Sequence, residues 1–228
     1  MIHYNKEIEV AGIILRDPVT ALTNIGIFAA GLLCYLRLRK QKLDFPNKNW
    51  IYFFLLMGIS SLVAVIVHGF SYYTPPEVHF KIWWVMCVLQ GAGVTLAQFG
   101  FASNVLSKYR MLVISVVTLQ FGVFALCSYI FGTFTVAKFH LAAGLVPIML
   151  YYIYVALKGK RAEMLVATGI GISALTALVH GLKLSISLEW FNYNDIAHCL
   201  IIASLVVMGR GVSLGLHEKR HEEQTISE

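Results

Sequence analysis

Apolar residues in this chain run in long unbroken blocks, and short polar stretches punctuate them. Seven blocks reach the roughly 20 residues that a helix needs to cross a bilayer. They span about 18–38, 50–71, 81–106, 109–131, 135–157, 162–184 and 195–216. The pattern predicts an all-α fold, a polytopic membrane protein built as a bundle of seven transmembrane helices. The connections between blocks are short, so residues 1–216 read as one domain. The last twelve residues, HEKRHEEQTISE (217–228), read as a solvated cytoplasmic tail.

Composition agrees with this reading and removes its rivals. The 228 residues are 58% hydrophobic and 13% charged, with a mean hydropathy of +0.72. A soluble domain is about 45–50% apolar and about a quarter charged. Soluble enzymes, nucleic-acid-binding modules and disordered chains are excluded on that ground. The opening residues, MIHYNKEIEV, mix acidic and basic groups and carry no signal-peptide pattern. Cys34, Cys87, Cys127 and Cys199 all lie inside apolar blocks, so they read as buried thiols without a disulfide framework. Trp50, Trp83, Trp84, Trp190, Tyr72, Tyr73 and Tyr193 lie at or near block ends, as in an interfacial aromatic belt.

The net charge of +6 then acquires a meaning other than an acidic partner. Thirteen of the 18 basic residues fall in or toward alternate connections and the C-terminal tail: Arg37, Arg39, Lys40, Lys42 and Lys48; Lys108 and Arg110; Lys158, Lys160 and Arg161; and Arg210, Lys219 and Arg220. Positive residues stay on the cytoplasmic side. This orientation puts the N-terminus outside and the C-terminus in the cytoplasm, in what reads as a bacterial inner membrane, with membrane lipids as neighbours and no nucleic-acid partner.

Spans two and six end alike, in SLVAVIVHG (61–69) and SALTALVHG (173–181). Helices four spans apart run in the same direction, so the two signatures sit at equal depth. The match points to a parallel three-plus-one-plus-three pseudo-repeat with span four as the linker.

Ionisable residues within spans are costly and mark functional sites. His68 and His180 lie near the ends of spans two and six, and His198 lies about one turn into span seven. All three therefore fall near the outer face. Asp17, Asn194 and Asp195 share that face. Three imidazoles with an open fourth position are the ligand set of a catalytic zinc ion, here with Asp17 or Asp195 as base or as partner to a ligand imidazole. Asn24, Ser61, Ser173 and Asn194 would line the cavity. Asp17 before Pro18, and Asp195 at the start of span seven, fit helix capping as well. Lys138 and His140 read as interfacial and His79 as a solvated loop residue. Thr20, Thr23, Gln90, Thr95, Gln98 and Gln120 read as polar contacts between helices.

The run DPVTALTN (17–24), the VHG ends of spans two and six, and FNYNDIAH (191–198) together resemble a bacterial family of seven-helix membrane proteins known only as a domain of unknown function. The layout is also distantly similar to the CREST superfamily, which includes alkaline ceramidases and the progestin and adiponectin receptors. That likeness implies a zinc ion held by a helix-two histidine and an H-x-x-x-H pair on helix seven, with amide hydrolysis of ceramide-like lipids. His68 would match the first of these histidines and His198 the last. The sequence departs from the pattern in three places. Asn194 occupies the position of the first helix-seven histidine, with His180 as a replacement ligand; Ala64 stands where a serine is expected; and span three has no matching aspartate.

These readings leave three functions to separate. One is a zinc-dependent membrane hydrolase, in which zinc-bound hydroxide would attack a lipid amide or ester. The second is a small-solute or proton-coupled transporter, or a receptor-like binding protein, using the same histidines. The third is a b-type haem protein with axial histidines. A retinal protein of the usual plan is excluded, since span seven has no lysine between Asp195 and Gly209.

Overall fold

The computed structural model describes residues 6–41, 45–102 and 107–227; Lys42 and the tail side chains from His217 onward, His221, Lys219 and Arg220 included, lie outside the described residues. Seven helices are long and apolar enough to cross a membrane. They are α1 (Pro18–Leu38), α2 (Phe45–Gly69), α3 (Pro76–Ala102), α4 (Ser107–Phe131), α5 (Phe134–Ala156), α6 (Arg161–Leu182) and α7 (Tyr193–Ser227). This is the all-α bundle of the sequence reading, with its ends displaced where polar residues continue a helix beyond its apolar block. The first turn of α3 begins at Pro76, where proline's fixed φ suits a helix start and its missing N–H costs nothing. His79 therefore belongs to a helix rather than a loop. α7 continues through the charged tail, beyond its apolar stretch Tyr193–Leu216.

Two strands that the apolar blocks do not announce precede α1. β1 (Glu7–Val10) and β2 (Ile13–Arg16) pair antiparallel through a two-residue turn. Ala11 and Gly12 both have positive φ, 51° and 79°, as the twist of a tight hairpin demands. The hairpin then turns into α1 at Asp17, whose own φ is 44° and whose N–H donates to the Lys6 carbonyl at 2.9 Å.

Six helices close a ring: α1 packs on α2, α2 on α3, α3 on α5, α5 on α6, α6 on α7, and α7 on α1. α4 stands outside and touches α3 and α5. Close approach depends on small residues. At Gly31 on α1 a β-carbon would come within 2.6 Å of the Phe54 carbonyl oxygen and 3.0 Å of the Gly58 nitrogen. The main core lies toward the α1 C-terminus, around Phe53, Phe54, Leu38, Ile148, Ile170 and Met208. Trp50 belongs to it: only 3% exposed, it packs edge-on to Phe53 at 5.6 Å and so is no part of an interfacial belt. Tyr72, Tyr73 and Trp190 remain about half exposed, as a belt requires. The four cysteines are free. Outward faces are apolar, with Leu22, Leu33, Leu119 and Phe139 each well exposed.

Candidate functional site

The polar residues collect at the end of the bundle that carries the hairpin. Here α2 and α6 finish, α1 and α7 begin, and the connections 70–75 and 183–192 cross the surface.

α7 starts with a reciprocal cap. Asn192 Oδ1 accepts from the Asn194 N–H at 2.8 Å, and Asp195 Oδ2 accepts from the Asn192 N–H at 2.8 Å. These bonds satisfy backbone donors that a helix N-terminus leaves unpaired. The other oxygen of Asp195, Oδ1, accepts from the Thr20 hydroxyl of α1 at 2.6 Å, and Asp195 is 1% exposed. Both carboxylate oxygens are thus occupied, one in capping α7 and the other in tying it to α1. Of the two roles that the sequence leaves open for Asp195, this geometry is the capping one. Asn194 serves the cap through its backbone and keeps a half-buried side chain.

His198, one turn further along α7, is held by a second bond to α1. Its Nδ1 lies 2.9 Å from Thr23 Oγ1. The Thr23 hydroxyl donates its single proton to the Thr20 carbonyl at 3.0 Å. With that proton on Thr20, Thr23 accepts from His198 Nδ1–H; turned toward His198, the same hydroxyl donates to Nδ1 instead. In the first arrangement Nε2 carries the lone pair, on the side of the ring away from Thr23. Thr20 and Thr23, read from the sequence as plain helix contacts, are the residues that position Asp195 and His198. Their spacing of three put them on one helix face, but nothing in the sequence showed what that face meets.

His68 of α2 faces His198, with ring centroids 6.4 Å apart and planes at 70°. His180 of α6 lies against Tyr193 at 5.4 Å and Phe134 at 6.4 Å. Both His68 and His180 are within electrostatic reach of His198. The three histidines thus lie in one region of the bundle. It does not close them into a finished ligand set: among the described residues no group of three or more His, Cys, Asp and Glu is placed to hold a metal ion. Two imidazoles on one tetrahedral zinc have centroids about 5 Å apart. The His68–His198 pair is wider than that by roughly one ångström, and His180 is turned toward its aromatic neighbours.

The remaining expected residues divide. Asn24 is buried, 2% exposed, and its Nδ2 donates to the Thr20 carbonyl at 2.9 Å. Ser61 and Ser173 donate to carbonyls of their own helices, Met57 at 3.0 Å and Ile170 at 2.7 Å, which leaves only their oxygen lone pairs for a cavity. Asp17 makes the hairpin-to-helix turn. His140 differs most from expectation. It is not interfacial but 4% exposed, enclosed by α3, α4 and α5 and stacked on Phe124 at 4.2 Å.

The hairpin lies over this end and ties it together. The Ile14 N–H donates to Tyr73 Oη at 2.8 Å, and the Arg16 guanidinium sits over the Tyr72 ring. Lys6 pairs with Glu189 at 3.6 Å and covers Trp190. The connections after α2 and α6 are thereby linked through one short sheet.

The model of a family described as a family of unknown function (DUF6962) matches residues 19–217. No curated protein and no solved structure matches the chain.

Proposed function

The chain belongs to that family of unknown function, and we propose that it is an integral membrane protein with a ligand site for a divalent metal, zinc foremost, at its outer end. The observation that carries this reading is the setting of His198: one ring nitrogen is committed to Thr23, which leaves the other for an ion, with a second imidazole 6.4 Å away. Metal-ligating histidines are characteristically held in this way, through the nitrogen that does not bind the ion. His198 and His68 would hold the ion, and His180 would complete the set after turning from Tyr193. Imidazole nitrogen suits zinc among the common divalent ions. The apolar outward faces support membrane insertion. The basic connections at the opposite end support a cytoplasmic location for that end, and so an external site.

Of the activities that the sequence raises, this geometry favours binding or transport over CREST-like hydrolysis of a lipid amide or ester. Hydrolysis needs a carboxylate free to take a proton, and Asp195, one of the two candidates and the one beside His198 on α7, has both oxygens engaged. Transport gains a specific argument from the ring of helices. Mapping α1, α2 and α3 onto α5, α6 and α7 carries each contact of the ring onto another, with α4 as the linker and His68 falling on His180. This supports the parallel pseudo-repeat, and small carriers bind their ligand between such repeats.

Metal analysis of the purified protein tests the reading. It predicts about one zinc per chain, strongly reduced in His68→Ala and His198→Ala. Equal, sub-stoichiometric zinc in all three proteins would sink it. Zinc or proton uptake into proteoliposomes, without release of lipid products, separates carrier from hydrolase; lipid turnover that is lost in His198→Ala would reverse that choice. A Soret band in the purified protein would revive the haem reading.

A further inference from the structure

A second polar constellation lies inside the bundle, away from the outer histidines, where α3, α4 and α5 meet. His140 Nε2 is 3.2 Å from the Gly91 carbonyl oxygen, and its Nδ1 is 3.4 Å from Gln120 Nε2. Gln98 Nε2 donates to Gln120 Oε1 at 3.2 Å. A carbonyl only accepts, so Nε2 of His140 carries the proton and Nδ1 accepts from Gln120. The chain thus has one direction, from Gln98 through Gln120 and His140 to Gly91. It also has a loose end: Gln98 Oε1 is buried without a hydrogen-bond partner, on a residue 7% exposed. An unsatisfied acceptor at that depth is costly, so it marks a network able to take one more donor.

We propose that His140 is a proton-binding site in the bundle interior, received by the reversal of the Gln120 and Gln98 amides. The proton adds to the Nδ1 lone pair. Gln120 turns so that Oε1 accepts from Nδ1–H and Nε2 faces Gln98. Gln98 turns in response, bringing its partnerless oxygen to the Gln120 N–H. Nε2–H keeps its bond to Gly91. Phe124, stacked on the imidazole with planes at 16°, offers its π face to the cation. The imidazolium bonds to Gln120 and Gly91 are charge-assisted and stronger than the neutral ones that they replace, and the Gln120–Gln98 bond re-forms in the opposite direction.

No carboxylate competes for this role. α4 and α5 contain none, and the one on α3, Glu77, stands in its first turn. Cys87 of α3 shares the apolar cluster around Phe124. Lys138 of α5 is exposed with its ammonium over Phe134. On the adjoining helices, His68 faces His198 and His180 faces Tyr193 and Phe134. The site therefore depends on none of the residues proposed to hold metal. It does reach α4, the one helix outside the ring, whose side-chain ties to the ring include Gln120 to Gln98 and His140. Proton binding re-forms that attachment.

Histidine nitrogen shifts in ¹⁵N-labelled full-length protein in lipid nanodiscs test the proposal, followed from about pH 8 to about pH 4. The His140 signal is assigned by its loss in His140→Gln, and independently by the removal of ring-current shift in Phe124→Leu. At the high end the ring is the Nε2–H tautomer; on acidification both nitrogens become protonated; and Gln120→Leu lowers the proton affinity about tenfold or more. An Nδ1–H tautomer at high pH, a ring that stays neutral while the fold persists, or an unchanged midpoint in Gln120→Leu would each overturn it.

Discussion

Thr23 shows most clearly how a single hydroxyl sets the chemistry of its neighbour. With its one proton given to the Thr20 carbonyl, as the proposed metal site requires, it leaves Nε2 of His198 basic. Loss of such a supporting bond lowers metal affinity about 10–100-fold. Thr23→Val should therefore weaken zinc binding by that factor, measured by competition with a chromogenic chelator, while Thr23→Ser retains it and both variants unfold near the wild-type temperature. An undiminished affinity in Thr23→Val would detach the hydroxyl from the site. At this scale the sequence was half legible. Histidines within apolar blocks stand out because burial makes them costly, so His68, His180 and His198 could be named at once. Threonines are cheap in membrane helices, where their hydroxyls bond back to their own backbone, so Thr20 and Thr23 carried no such mark. His140 was misjudged for a related reason. Closeness to a helix end suggested the interface, but Gln120 and the Gly91 carbonyl, on other helices, supply the partners that allow its burial.

Helices were legible as lengths of apolar sequence, and their contacts were not. A soluble helix shows its packed side by an apolar stripe, but a helix in lipid is apolar on every side and that signal vanishes. Glycine keeps some of the information. Gly31 meets the backbone of α2, whereas nothing lies within 4 Å of a β-carbon built at Gly122 on α4. Gly31→Ala should push α1 from α2 and destabilise the protein by about 1–3 kcal/mol. Gly122→Ala should be neutral or stabilising by up to about 1 kcal/mol, because alanine favours the helix. Thermal unfolding in one detergent compares them, and equal losses would contradict the packing. The β1–β2 hairpin was missed because its strands are four residues each and its turn is Ala-Gly, a weaker signal than Asn-Gly.

For the whole molecule, the ring of six helices with α4 outside places the histidines, the hairpin and two connections at one end, and the basic connections at the other. In the proposed orientation, which follows the positive-inside rule, the hairpin end is external. In a Cys199→Ala background, an impermeant maleimide should label Glu189→Cys in intact cells and Lys158→Cys only after lysis; the reverse order would invert the proposed orientation. Charge distribution made this axis readable from the sequence, but the ring itself was not, since the repeat in spans two and six fixes equal depth and says nothing about neighbours.

Whether His198 and His68 hold zinc together is the centre of the account, and X-ray absorption at the zinc edge of the loaded protein measures it most directly. It predicts imidazole nitrogens at about 2.0–2.1 Å, with at least one lost in His198→Ala. A first shell without imidazole scattering, or one unchanged in that variant, would contradict it.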